Sequence, residues 1–243
     1  MDRWSPTLPP SETTTWLLPA LMIVISVSGL ACGHLKLARG WRTGDTRKLF
    51  HFIIISTATA LSLSLGWGAV NLLGGLMAFY VFTVARVGEG NPLFEGIARE
   101  SDAPHRGLYI VIPYLSTAAG GLLSALLFGS HASVGMVASG WGDALGEPIG
   151  IRFGRHRYRV ISFAGGSGTR SLEGSAAVFL ASAVGAAVVI SSSDTLAPES
   201  MGLLLGTSVA VGFAAALVEA LSPRGFDNLT LQLAASAVAK SLL

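Results

Sequence analysis

Asp143 and Glu147 stand four residues apart in Trp141-Gly142-Asp143-Ala144-Leu145-Gly146-Glu147-Pro148, so on a helix they share one face and aim two carboxylates at one point. Glu173, Glu219 and Asp227 with Asn228 add polar groups at the borders of later apolar stretches. Arg152, Arg155, Arg157, Arg159 and Arg170 fill the segment between the first pair and Glu173. Carboxylates converging beside arginines suit a hard cation such as Mg2+ with a phosphate-bearing substrate. Plainer uses stand beside that one. Glu173 and Asp227 could serve only the dipoles of the helices they open, and Asp143 and Glu147 could merely pair with loop arginines. The run Gly165-Gly166-Ser167-Gly168-Thr169-Arg170-Ser171 lacks the spacing and the strand-helix context of a nucleotide phosphate loop. Its amides could still cradle phosphate at a helix start, with Arg170 as a bidentate donor, or the glycines could simply be flexible loop.

The elements that must position these groups are set by composition. Of 243 residues, 51% are hydrophobic and 12% charged, and mean hydropathy is +0.61. A soluble chain carries about twice that charge. Apolar stretches near 16–37, 49–65, 67–87, 108–129, 131–149, 173–192, 200–221 and 227–243 predict an all-α, polytopic transmembrane helical bundle of seven or eight spans. The last is the least regular, because Gln232, Ser236 and Lys240 interrupt it. The expected organisation is an N-terminal tail over 1–15 and one transmembrane catalytic domain over 16–243, with loops near 38–48, 88–107, 150–172 and 222–226.

Every Lys and Arg except Arg3 and Lys240 falls in alternate connections, which predicts that those loops and the active site face the cytoplasm. The isoelectric point of 8.9 then reports basic loops and contact with anionic lipid, not nucleic-acid binding. Basic residues follow the first apolar stretch instead of preceding it, so it reads as a span and not a signal peptide. Cys32 is the only cysteine, which rules out an internal disulfide and reads as a small buried apolar residue. Most of the 30 glycines predict close helix packing. The run Gly140, Gly142, Gly146 stands apart because acids flank it.

Several of these residues together carry a family likeness. Gly142-Asp143-Ala144 with Glu147 and Gly150, Phe153-Gly154-Arg155-His156-Arg157-Tyr158, and Thr169-Arg170-Ser171-Leu172-Glu173-Gly174-Ser175 resemble the signature of the CTP-dependent lipid-alcohol kinases. That group includes phytol kinase, dolichol kinase and CTP-dependent diacylglycerol kinase, and is distantly related to CDP-diacylglycerol synthase. Arg47-Lys48-Leu49-Phe50-His51 resembles the RKxxH element near the family's start. Glu219 with Ser222 to Thr230 resembles its end and lacks the signature of the synthase. Relatives usually carry Lys where this chain has Arg170, so the charge is kept and its geometry changed.

The resemblance implies an integral membrane kinase that moves the γ-phosphate of CTP to a lipid alcohol, an isoprenoid such as phytol, geranylgeraniol or polyprenol, or diacylglycerol. It implies that Asp143 and Asp227, with Glu147 as a third candidate, hold Mg2+. Arg170, Ser171, Arg47, Lys48, His51 and Asn228 would meet nucleotide phosphate, and Glu173 or Glu219 would accept the alcohol proton or complete the metal shell. Partners are CTP, the lipid alcohol and the bilayer, with a homo-oligomer compatible. Glu95, Arg99, Asp102, His105 and Arg106 either contact nucleotide or form a solvated face. Two other activities fit the acids: a CDP-lipid synthase, and a cation-coupled transporter, against which the absence of internal symmetry weighs.

Overall fold

The computed structural model describes residues 7–160, 168–222 and 226–243. Expectations on Arg3, on Gly165 to Ser167 and on Pro223 to Gly225 lie outside them. The chain forms two compact units, Met1–Leu115 and Ser116–Leu243.

The first unit is built on α1 (Ser11–Arg39), α2 (Thr43–Ser64) and α3 (Trp67–Val87), followed by a one-turn α4 (Pro92–Glu95), a 3-10 turn (Glu100–Asp102) and the start of α5 (Leu108–Phe128). α1 closes on Gly40 in the left-handed conformation with φ of 66°, a backbone that glycine adopts without strain. Leu17, Leu21, Ile25 and Cys32 on α1, Phe50 and Ile54 on α2, and Leu73 and Tyr80 on α3 form its interior. Phe50 and Tyr80 stack with centroids 5.4 Å apart. Cys32 is fully buried, as expected, and its thiol donates to the Thr46 carbonyl at 3.2 Å.

The connection after α3 is organised around Arg106. That guanidinium donates to Glu95 Oε2 at 2.7 Å and to the carbonyls of Ala98 at 2.8 Å and Arg99 at 3.2 Å. It also pairs with Glu89 at 3.2 Å and sits 5.0 Å from the Phe94 ring centroid. One planar fork thus satisfies carbonyls that an irregular segment would otherwise leave unpaired. Lys36 and Thr43 hold Glu100, and Thr46 Oγ1 donates to the Gly96 carbonyl at 2.6 Å.

The second unit contains the rest of α5, a 3-10 turn (Gly129–His131), α6 (Ala132–Phe153), α7 (Leu172–Ser192), α8 (Met201–Leu221) and α9 (Asp227–Leu242). α7 packs on α6 and on α8, and α9 packs on α6 and α8. Small residues explain the close α6–α7 seam. A Cβ at Gly142 would come 2.6 Å from Ser182 Oγ, one at Gly146 2.5 Å from Val178 Cγ2, and one at Gly150 3.1 Å from Ser171 Oγ. Gly142, Gly146 and Gly150 are therefore a packing stripe at four-residue spacing, matched by Gly174, Val178 and Ser182 on α7. The glycines that flank the acids serve the helix seam.

A two-stranded antiparallel ribbon joins α6 to α7: β1 (Arg157–Val160) pairs with β2 (Gly168–Ser171), Tyr158 opposite Arg170 and Arg159 opposite Thr169. This is the one departure from the expected all-α fold among the described residues.

Among the described residues, five segments are long and apolar enough to cross a membrane: Ser11–Arg39, Trp67–Val87, Leu108–Phe153, Leu172–Ser192 and Met201–Leu221. The third holds both α5 and α6. α2 and α9, expected as spans, are not among them. α9 has 16 residues, about 24 Å at 1.5 Å per residue, short of a hydrocarbon core of about 30 Å. α2 opens with Asp45, Arg47 and Lys48 and carries hydroxyls to its end. Large side chains such as Phe79, Phe82, Leu126, Leu180 and Phe213 are exposed on the long helices, as lipid-facing positions require. The molecule is an all-α membrane protein.

Candidate active site

The second unit brings several of the expected residues to one place, where β2 ends and α8 gives way to α9. Arg170 is the penultimate residue of β2 and is directed inward, opposite Tyr158. Its Nη1 pairs with Glu219 Oε1 in the last turn of α8, and its Nη2 lies 3.7 Å from Asp227 Oδ2 in the first turn of α9. The three side chains are only 15–23% exposed. Asp143, half-buried on α6, lies within electrostatic reach of Glu219, as does Asp227. Two acids, on α8 and α9, thus share one arginine supplied by the ribbon, with Asp143 of α6 close to Glu219.

Asn228, 6% exposed, donates from Nδ2 to Thr117 Oγ1 at 3.0 Å, while its Oδ1 is buried without a hydrogen-bond partner. A buried carbonyl left open beside Asp227 is costly unless something fills it. Gln232, one turn later and also buried, donates to the Thr117 carbonyl at 3.1 Å and to the Asn228 carbonyl at 2.8 Å, which fixes the first turns of α9 against α5. Gln232 and Thr117 were missed as supporting residues; the only sign of the former was a polar residue interrupting an apolar stretch.

Other expected residues have partners of their own. Glu173 accepts from His156 Nδ1 at 2.8 Å and from the His156 backbone N–H at 3.3 Å. It ties the approach to β1 onto α7. Ser171 is the N-cap of α7, its Oγ accepting from Gly174 N–H at 3.1 Å. Tyr158 and Ser175 join their hydroxyls at 2.6 Å, a second clamp between ribbon and α7 that the sequence did not single out. Glu147 is half-buried one turn beyond Asp143. Arg47, Lys48 and His51 belong to the first unit, where Arg47 lies 3.8 Å from Asp102 and Lys48 is buried.

Among the described residues, no three His, Cys, Asp or Glu side chains stand together as a ready metal cage. The donor set is nevertheless of the right chemistry for Mg2+, which commonly takes one or two carboxylates and completes its shell from water and substrate phosphate. Hard oxygen donors at Asp227 and Asp143 and the open Asn228 carbonyl fit that pattern.

These features define a helical membrane protein with carboxylates and an arginine gathered at helix ends. Neither a protein-family model nor a solved structure matches the chain. Among curated proteins, the phytol kinase of Synechocystis sp. is 30% identical over 197 residues, covering 80% of this chain and 77% of that protein. The chain belongs to the phytol kinase family of lipid-alcohol kinases, the family its motifs resemble.

Proposed function

We propose that this protein transfers the γ-phosphate of CTP to a membrane-resident lipid alcohol at the Arg170–Glu219–Asp227 cluster, on the cytoplasmic side of a multi-pass bundle. The observation that carries the reading is that cluster: an arginine supplied by the ribbon, held between carboxylates of α8 and α9, in a chain of the phytol kinase family. Phosphoryl transfer asks a protein mainly for positioning and for stabilisation of charge on the transferring group. Asp227, Asp143 and Asn228 would hold Mg2+, which when bound supplies charge neutralisation at the phosphates. Arg170 would exchange a carboxylate oxygen for a phosphate oxygen, bringing its positive charge to the transferring group. Glu219 would accept the alcohol proton once Arg170 turns to phosphate, while Glu173 would stay with His156. The acceptor's tail would approach between helices from the bilayer.

The test follows the phosphorus. Purified protein is incubated with Mg2+, γ-labelled CTP and, in turn, phytol, geranylgeraniol, a longer polyprenol and diacylglycerol. Label entering the lipid with release of CDP is expected. Label leaving as pyrophosphate with cytidine on the lipid would make it a CDP-lipid synthase, and no turnover with any acceptor would return the acids to a transporter.

A further inference from the structure

The ribbon has two faces, and only the inner one is used by the cluster. Burial alternates along β1: Tyr158 and Val160 are half-buried, Arg157 and Arg159 exposed. Arg155, two residues before the strand, is exposed as well. The inner face is pinned by the Tyr158–Ser175 hydroxyl pair and by Leu172 N–H donating to the His156 carbonyl at 2.9 Å, so the outer arginines are set at a fixed aspect. None of Arg155, Arg157 and Arg159 has an acidic side-chain partner among the described residues, and the connector 161–167 contains no acid by sequence.

What surrounds the arginines says what they face. The ribbon leaves the end of α6 and returns into α7, both within apolar segments long enough to span a membrane. At its foot Phe153 is 64% exposed and Leu172 59% exposed, large apolar side chains of the kind that sit among acyl chains just below the headgroups. Exposed arginines without an acidic partner among the described residues, next in sequence and strand register to exposed apolar side chains, match an anionic lipid surface: phosphate outside, hydrocarbon beneath. Free nucleotide would have no use for the Phe153 and Leu172 shelf.

We propose that the outer face of the ribbon, Arg155, Arg157 and Arg159 above Phe153 and Leu172, docks on the anionic headgroup surface of the protein's own bilayer. Each arginine brought to such a surface shifts the docked-to-undocked ratio about fivefold, so three together shift it on the order of a hundredfold. Because β2 carries Arg170, docking holds the arginine of the cluster at a fixed height above the lipid.

The test reads position directly and does not depend on the kinase reading. Thr169, exposed opposite Arg159, is changed to Cys and labelled with an environment-sensitive fluorophore, Cys32 being fully buried. The protein is placed in nanodiscs of phosphatidylcholine alone or with a third of headgroup-brominated phosphatidylglycerol. Strong quenching is expected in the anionic discs, reduced at least fivefold by 0.5 M salt or by Arg155→Gln/Arg157→Gln/Arg159→Gln, and weak quenching when bromine is carried on phosphatidylcholine in neutral discs. Arg152→Gln, at the end of α6 and off the strand face, serves as the charge control and should leave quenching intact. Equal quenching in neutral and anionic discs would overturn the proposal. So would quenching unchanged in the triple variant, or a triple variant whose only effect is a raised KM for CTP in neutral discs, which would assign the arginines to the nucleotide.

Discussion

Gly146→Ala tests whether the α6–α7 seam sets the position of the acids beside it. The added Cβ would stand 2.5 Å from Val178 Cγ2, roughly 1 Å inside an ordinary carbon–carbon contact. Both atoms are on helix walls and Val178 is 1% exposed, so the helices must part. Overpacking of this kind costs about 1–3 kcal/mol, against which alanine's helix propensity returns about 0.5–1. A net loss near 1–2 kcal/mol corresponds to roughly 2–8 °C in Tm for a chain this long. Val178→Ala alone removes two methyl groups from the interior and costs about 2 kcal/mol. Combined with Gly146→Ala it leaves the new Cβ facing only the Gly174 carbonyl at 3.5 Å and position 178 Cβ at 3.9 Å, both ordinary distances. The double variant should therefore be about 1–2 kcal/mol more stable than the sum of the singles predicts. Thermal unfolding in one detergent measures all three, with Gly74→Ala and Gly206→Ala, which meet nothing within 4 Å, as neutral controls. Turnover should fall in Gly146→Ala and recover in the double, since Asp143 and Glu147 ride on the same helix. Additive singles, or controls as damaging as Gly146→Ala, would refute the reasoning.

Asp143→Asn and Asp227→Asn should each abolish turnover while leaving Tm near that of the parent; activity above about a tenth of the parent, a loss under about 1.4 kcal/mol in the transition state, would make these acids structural. Arg170→Lys should retain activity if charge at phosphate is the requirement and Arg170→Ala should lose it, measured with labelled CTP; equal loss in both would assign a bidentate contact. Arg106 holds the Glu95 carboxyl below its ordinary value of 4.5, so this pair contributes stability that is full above the unfolded value and is lost as pH falls through the lower folded one. Glu95→Gln should flatten the acid limb of the Tm–pH curve, and Arg106→Met should cost about 3 kcal/mol at pH 7. Cysteines at positions 42, 99 and 157 should react with an impermeant reagent only from the cytoplasmic side; labelling from outside intact cells would reverse the orientation.

The helices were legible because an apolar run ends where charge begins. The stretch 67–87 is α3, and 108–129, 173–192, 200–221 and 227–243 differ from α5, α7, α8 and α9 by one residue or so. The ribbon was not legible: Arg157 to Val160 is four residues long, and its alternation becomes visible only when Tyr158 has Ser175 to bond. Within the site, the types of Arg170, Glu219 and Asp227 could be picked out, but their grouping depends on the ends of β2, α8 and α9 meeting. Glu173 illustrates the limit, since motif position alone cannot tell that His156 claims its carboxylate. Arg106 illustrates it again: a loop arginine reads as solvated until the carbonyls it serves are folded around it.

The polar ladder of α9 bears on how the protein is made. Asn228, Gln232, Ser236 and Lys240 recur every fourth residue: Asn228 and Gln232 bond to Thr117 on α5, Lys240 bonds to Leu127 and lies over Phe128 at the end of α5, and Ser236 packs closely against Gly135 on α6. A helix this short and this polar has little reason to leave the translocon for lipid on its own. It is retained because segments synthesised earlier present the carbonyls, glycines and hydroxyls it needs, each hydrogen bond adding about 0.6–2 kcal/mol. Biogenesis then has an order: α5 to α8 must already be assembled before α9 can lodge. Since α9 carries Asp227, a nascent chain cannot complete its cluster of acids until that assembly has succeeded, and under the proposed function activity would report on correct insertion.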